Sequence, residues 1–464
     1  MSFDDLKAAL RGEVITAADG GYADHRAKMI WNGRKPDAQP VAIVRARTVA
    51  DVQTTIAFAA RRGISVSPRG TGHNFSGIAL QDGIVLDLSA LNQIEIDSGA
   101  GIAVVGPTAC NDVLAERLAE AGFAFPVGHC ASVSLSGYLL GGGFGWNSGE
   151  WGMACHSVDS ADVVLADGRL VSASAAENPE LFWALRGGGP LFPGVVVRYR
   201  LRLQKLRRGM IMAIRSYPIE RIDEVSRWMQ GVMAVAPDGV EFTVILHSAP
   251  PPVADPSVKL VTAIPTVFAE SDADAQEALE GIALWAPADP LNAVGPIPAT
   301  YGSLYAGSDQ ANPVGARYLA EAVWSDEPRR LFRIMADAVA RAPSAASYAV
   351  GSQLPARSFA SRPLPDSAFS MAGSGFGALY GIWDDPAQDA ANTAWLRAAA
   401  DAMSPVTRGH YVGEADLARP ERLAQCYAPE AWARLQTVRG CYDPTGLFRR
   451  ASSTSAAPLA IAAE

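Results

Sequence analysis

Ser67-Pro-Arg-Gly-Thr-Gly-His73-Asn-Phe-Ser-Gly77 is the stretch on which the reading of this chain turns. Three glycines let the backbone N–H groups come close to a phosphate, and His73 stands at the crest of the turn. A second stretch has the same character: Pro126-Val-Gly-His-Cys130, running on to Gly141-Gly-Gly-Phe-Gly145. A histidine and a cysteine set among such turns point to a large anionic cofactor, cradled by backbone and chemically tethered. The first loop is not a nucleotide P-loop, because no Gly-Lys-Ser/Thr follows. It is also a poor dinucleotide fingerprint, because no capped helix begins there. Taken alone, each loop is equally an ordinary turn with a hydrogen-bonded histidine or a buried thiol.

Outward from these loops, short strands and helices alternate. A helix is expected over 48–62, with a capping-box-like start at Thr48 and Asp51 and a stop at Gly63. Strands are expected at 64–67, 84–88 and 94–96, a capped helix at 111–122, and a hairpin over 162–171 turning at Asp167-Gly168. Asn178-Pro179 opens a helix that ends in Gly187-Gly-Gly189, and a strand spans 195–203. Beyond residue 206 strand-like runs at 241–246, 259–264, 347–350 and 378–383 alternate with helices such as 390–403. That texture reads as a sheet covered by helices. Residues 250–256 read as a Pro-rich loop and 451–464 as a flexible tail.

Composition narrows the classes of function. The chain has 464 residues, 49% of them hydrophobic, and a net charge of −9. That acidic balance argues against nucleic acid as a partner. No apolar run approaches the ~20 residues of a membrane span. The amino terminus has no apolar signal core, so a cytoplasmic enzyme is expected. Five widely spaced cysteines without a Cys-x-x-Cys, and six histidines without His-x-x-x-His spacing, argue against a disulfide framework, a metal site or a metal-dependent hydrolase.

Four motifs in order resemble the vanillyl-alcohol-oxidase, PCMH-type FAD-linked oxidoreductases, in particular their berberine-bridge-enzyme-like branch. Arg69-Gly-Thr-Gly-His73 is similar to that family's first flavin loop, whose histidine bonds the flavin. Gly128-His-Cys130 is similar to the loop whose cysteine makes a second bond. Phe182-Trp-Ala-Leu-Arg-Gly-Gly-Gly189 with Gly194-Val-Val196 resembles the end of the flavin domain. Residues 427–448 resemble the closing module. The resemblance implies an α+β fold: a two-subdomain PCMH-type FAD-binding domain over 1–205 and a substrate domain over 206–404, with an antiparallel sheet covered by helices. A segment over 405–450 returns to the first domain. It implies FAD held covalently through His73 and Cys130, with cofactor contacts at Arg69, Gly70, Thr71, Gly72, Asn74, Phe75, Gly128, Ser134, Gly137, Gly141, Gly142, Gly145, Val196 and Tyr411. The pyrophosphate is expected against the backbone N–H groups of 70–75.

The implied reaction is hydride transfer from an alcohol, sugar hydroxyl or amine carbon of a small organic substrate to flavin N5. O2 or another acceptor reoxidises the flavin, and a base takes the proton. Where the family reads Tyr-Val-Asn-Tyr, this chain reads Tyr411-Val-Gly-Glu414. Glu414 therefore replaces the second tyrosine as candidate base, with Tyr411 beside it; the alternative is a helix cap or an ion pair. In the resemblance Leu135 falls at the family's position at which valine accompanies oxidase activity and a bulkier side chain dehydrogenase activity; the alternative is ordinary core, and oxidase against dehydrogenase stays open. His129 is a candidate to help hold a Cys130 thiolate. Trp285, Tyr301, Tyr305, Arg357, Tyr380 and Trp383 are candidate substrate-pocket residues. An aromatic or secondary-metabolite substrate is preferred over a carbohydrate. The competing reading is a flavin-binding protein without turnover. A monomer or homodimer is expected.

Overall fold

The computed structural model describes residues 2–250, 255 and 257–448; the expected tail lies outside the described residues. Helix Val49–Arg62 begins with Thr48 and Asp51 capping each other's backbone, and ends at Gly63 in the left-handed region. It covers a four-stranded sheet in which Pro40–Arg45, Gly83–Asp87 and Val66–Arg69 run parallel and Glu13–Ile15 adds an antiparallel edge. The expected strand at 64–67 lies two residues further on, so it runs directly into the first glycine loop.

A second, antiparallel sheet orders Ile94–Asp97, Ile102–Val105, Val195–Arg202, Val158–Val164 and Leu170–Ser174. The last two form the expected hairpin, with Gly168 at φ 84° in its turn. Helix Asn111–Glu120 forms, but without the expected cap. Asn111 is its first residue and its side-chain amide instead donates to Cys130 O at 3.3 Å. Between the second loop's cysteine and its triple glycine lies the short helix Leu135–Leu140, which the small-residue run did not announce.

The largest sheet has eight antiparallel strands. The four expected runs extend to Val240–Ser248, Lys259–Ala269, Tyr348–Gln353 and Gly375–Trp383. They are joined by Gly209–Pro218, Asn292–Pro298, Arg317–Ser325 and, from the C-terminal segment, Gly409–His410. Alternation divides each strand between two faces. Val240, Phe242, Val244 and Leu246 are buried in a core shared with helices Ile222–Met233, Asp272–Ala283, Pro328–Ala340 and Asp389–Met403. Thr243, Ile245 and His247 point the other way, into a cavity. Each fully buried Phe or Leu contributes about 1.5–3 kcal/mol, so the helix-covered face makes the sheet a rigid wall for that cavity.

Candidate active site

The cavity, about 1710 Å³, lies between the two glycine loops and the bare face of the eight-stranded sheet. It exceeds the ~300–1,000 Å³ of a usual small-ligand site, giving room for a dinucleotide and a substrate together.

The first loop is held by Arg69. Its guanidinium pairs with Asp87 at 3.0 Å and donates to Met29 O, Lys28 O and Thr71 O. Gly72, at φ 73°, follows this anchor; a Cβ there would stand 2.1 Å from Met29 O, so no side chain fits. Asn32 ties the loop to the sheet, donating to Phe75 O and Tyr318 O and accepting from Tyr318 N, each at 2.9 Å. Trp31 stacks on the His73 ring at 4.9 Å. Burial lowers the His73 imidazole to about 4, with Arg69 adding to the effect. It is therefore neutral at neutral pH and keeps a ring lone pair.

The second loop is bound to the first. Ser132 Oγ lies 3.0 Å from His73 Nε2, and Thr71 Oγ1 bonds both Ser134 Oγ and Ser134 N. Gly70 permits this approach, since a Cβ there would meet Ser134 Oγ at 2.6 Å. Cys130 is a free, half-buried thiol on the cavity wall, and burial pushes it up from its ordinary value. His129 gives it no positive charge: burial holds that ring at about 4, and it packs edge-on against Trp146 at 4.3 Å.

The segment after Gly409–His410 closes the site. Tyr411 N donates to Ala322 O in the sheet, and Tyr411 OH accepts from Phe144 N at 3.2 Å. Three residues on, Glu414 Oε2 accepts from Tyr380 OH at 2.8 Å. Tyr380 packs on Tyr348 at 4.9 Å and edge-on to Phe75 at 5.8 Å. Surrounded by protein and open only to the cavity, the Glu414 carboxyl is raised by burial to about 7, the Tyr380 hydrogen bond opposing the shift. Leu417 N then donates to Ser76 Oγ of the first loop.

Of the residues read from the sequence, His73, Cys130, Gly70, Thr71, Gly72, Asn74, Phe75, Gly128, Ser134, Gly137, Gly141, Val196, Tyr411 and Glu414 all line this cavity. Arg69, Gly142 and Gly145 do not. Arg69 works behind the loop, Gly142 abuts the Phe369 ring, and Gly145 abuts Val127 O. Leu135 is fully buried in the core behind the loop, whereas Val133 lines the cavity. Among the six candidate pocket residues only Tyr380 lines it. Trp285 is 76% exposed, Trp383 belongs to the helix-covered core, Tyr301 and Tyr305 are buried in the first core, and Arg357 is exposed. Trp31, Asn32, Ser132 and Tyr348 were not singled out.

The walls fit FAD. Among the described residues, no backbone N–H from 70 to 75 donates a hydrogen bond within the protein, which leaves a row of donors at the cavity. Gly137 lines the same space and nothing stands within 4 Å of the Cβ it lacks, so a ligand can lie directly on its backbone.

Comparison with known proteins agrees. Residues 40–174 match the family model described as FAD binding domain. The chain is 27% identical over 425 residues to FAD-linked oxidoreductase janO of Penicillium janthinellum, covering 90% of this chain and 92% of that one. It superposes on 6-hydroxy-D-nicotine oxidase from Arthrobacter nicotinovorans with a TM-score of 0.81 at 24% identity, covering 95% and 97% of the two chains. A BBE-like 1 protein of Physcomitrella patens gives 0.83 at 18% identity, with 98% and 99% covered. The chain thus carries an FAD binding domain and is similar along its length to FAD-linked oxidoreductases. Its fold is the one seen in the 6-hydroxy-D-nicotine oxidase and in the BBE-like 1 protein. No helix of the described residues is long and apolar enough to cross a membrane.

Proposed function

We propose that this chain holds FAD in the cavity through covalent bonds from both His73 and Cys130. We further propose that it oxidises a carbon bearing a hydroxyl or amine on a small, largely apolar organic molecule. FAD, when bound, accepts a hydride from that carbon and passes the electron pair to O2 or another acceptor. The observation that carries this reading is the meeting of His73, Cys130 and Glu414 on the walls of one cavity.

Glu414 is the base in this reading. Ionised, it takes the proton from the substrate hydroxyl or amine while the Tyr380 hydroxyl holds the carboxylate in orientation. Its value of about 7 suits a group that must both take and release a proton near neutrality. Tyr411 fixes the Phe144 backbone rather than moving a proton, since burial pushes its phenol up and its oxygen already accepts from Phe144 N. The neutral His73 ring, aligned by Trp31 and Ser132, keeps the nitrogen lone pair that a tether to the flavin would need. The facing sheet presents Ile214, Ile245, Ile264 and Val350, interspersed with Thr243, Thr262, Thr266 and Ser352. The aliphatic side chains of that wall, with Tyr348 and Tyr380, support an aromatic or secondary-metabolite substrate over a carbohydrate. With Val133 rather than Leu135 on the cavity side of the second loop, O2 is the favoured acceptor.

The test is the visible spectrum of the purified protein as alcohols and amines are added without air. Bleaching of the flavin bands by one of them supports turnover, and return of the colour in air identifies O2 as acceptor. A flavin that no compound of the panel bleaches favours a binding protein without turnover. Absence of flavin bands would overturn the proposal.

A further inference from the structure

Away from Glu414, the cavity wall carries a second polar group of residues that the reaction does not use. Ser216 and Thr262 sit directly opposite each other on neighbouring strands, both lining the cavity, and each is 7% exposed. Ser216 Oγ and Thr262 Oγ1 are 2.9 Å apart. Thr262 Oγ1 lies 2.8 Å from His247 Nε2, and His247 Nδ1 lies 2.8 Å from Ser248 O.

The direction of this chain of hydrogen bonds is set at its far end. A carbonyl oxygen only accepts, so His247 Nδ1 carries the proton and donates to Ser248 O. Burial lowers the His247 imidazole from its ordinary value, so at neutral pH the ring is neutral and Nε2 is an acceptor. Thr262 must therefore give its single hydrogen to Nε2. Its oxygen is left to accept, and Ser216 gives its hydrogen to Thr262. Ser216 Oγ thus has no hydrogen left for a ligand, only lone pairs. Among the described residues its side chain makes no other hydrogen bond.

We infer that Ser216, ordered by Thr262 and His247, forms a distal subsite that accepts a hydrogen bond from a hydroxyl or amine at the far end of an elongated substrate. The inference rests on the oxidoreductase reading of the same cavity and narrows its substrate class. Ser216 and Tyr380 are separated by four inter-strand steps, through the strands that carry Thr262, Ile245 and Tyr348. At about 4.8 Å per step that is roughly 19 Å. The wall between presents Ile245 and Val350, and beside them the hydroxyls of Thr243 and Ser352 are taken up by each other at 3.1 Å. The matching ligand is a long molecule with a hydroxyl or amine beside the oxidised carbon, an apolar body, and a hydrogen-bond donor at the other end. A sugar chain, polar along its whole length, would set hydroxyls against Ile245 and Val350, which offer them no partner.

The probes are three rigid p-terphenyl carbinols: one with a hydroxyl on the far ring, one with a methyl ether there, and one unsubstituted. Affinities are measured by calorimetry without air on the holoprotein, and on Ser216→Ala and Thr262→Val. The hydroxyl probe should bind about fivefold tighter than the other two, the yield of one net hydrogen bond. The preference should vanish in Ser216→Ala. It should shrink in Thr262→Val, where Ser216 regains a hydrogen to donate and the ether gains. Equal affinities, a preference that survives both substitutions, or no binding of the hydroxyl probe would overturn the subsite. Bleaching of the flavin together with equal affinities sinks the subsite and leaves the oxidation reading standing. A preference lost in Ser216→Ala, with no bleaching by any carbinol, upholds the subsite and sinks the oxidation reading instead.

Discussion

At the scale of single residues, Glu414 carries the sharpest expectations. Its carboxyl ionises near 7 in the folded chain, so its basic form appears only as pH rises through that value. The rate of flavin reduction should climb across that range and level off above it. Glu414→Gln should remove the climb and slow reduction by about 10²-fold or more; stopped-flow reduction without air, followed against pH, is the check. Stability moves the opposite way. In the unfolded chain the carboxyl ionises near 4.5, so between 4.5 and 7 the folded state holds a proton that the unfolded state has lost. Rising pH therefore destabilises the fold across that window, and above it the full penalty is roughly 3 kcal/mol. Glu414→Gln should then melt higher than the native protein above the window and equally below it. His73 and Cys130 give a separate test. His73→Ala should keep one flavin bond, through Cys130, and Cys130→Ala one through His73, as read by mass spectrometry of denatured protein; two bonds in either variant would remove that residue as an anchor. Glu414 was legible because it breaks a local pattern. Its partner Tyr380 stood undistinguished among other aromatics, since nothing local says which face of a strand meets a residue thirty-four positions later.

At the scale of elements, the sequence was most readable where local chemistry decides. The Thr48 and Asp51 cap, the Gly63 stop and the turn at Asp167-Gly168 are fixed within a few residues, and each forms as read. Legibility fell where tertiary contacts decide. Asn111 leaves its capping role for Cys130 O, and the strand before the first loop shifts because Arg69 is drawn to Asp87. The strands at 209–218, 292–298 and 317–325 were not singled out; Arg317–Ser325 is buried on both faces and has no clean alternation to read. In the loop after Cys130, a difference of two residues decides which side chain meets the cavity. Leu135 starts a short helix and turns into the core, and Val133 is left facing the open space. The steric test of oxygen access therefore belongs at Val133. Val133→Leu should slow reoxidation by O2 by about tenfold, ~1.4 kcal/mol on the barrier, and leave reduction without air unchanged. A Leu135 substitution should instead lower stability. In the sheet, Phe242→Ala should cost about 3–5 kcal/mol in denaturant unfolding, because the side chain is enclosed by Trp228 and the covering helices.

At the scale of the whole molecule, the site exists only because one segment touches every wall of it. Between Gly409 and Leu417 the chain adds an edge strand to the eight-stranded sheet, receives Phe144 N from the second loop, presents Glu414 to Tyr380 and reaches Ser76 in the first loop. The fastening of this segment lies under the sheet. Glu321, on the helix-covered side, bonds His410 Nδ1 at 2.9 Å, and Arg422 Nε lies 3.0 Å from its other oxygen. Glu321 is fully buried and Arg422 is 4% exposed. Taking two charges out of water is costly, and their attraction repays it only while both are present. Arg422→Ala would leave the Glu321 carboxylate buried without its cation, at a cost of about 3–5 kcal/mol. The loss should fall first on the segment it fastens. Hydrogen exchange should quicken at His410, Tyr411 and Glu414 before it does in the strands of the second sheet, and flavin reduction should weaken although no residue touching the cavity has changed. Arg422→Lys keeps the charge but not the planar fork that reaches Glu321, His410 and Gln425 together, so it should recover only part of the stability. Equal exchange rates in the native protein and Arg422→Ala would mean that the edge strand alone, and not the buried ion pair, holds Glu414 in place.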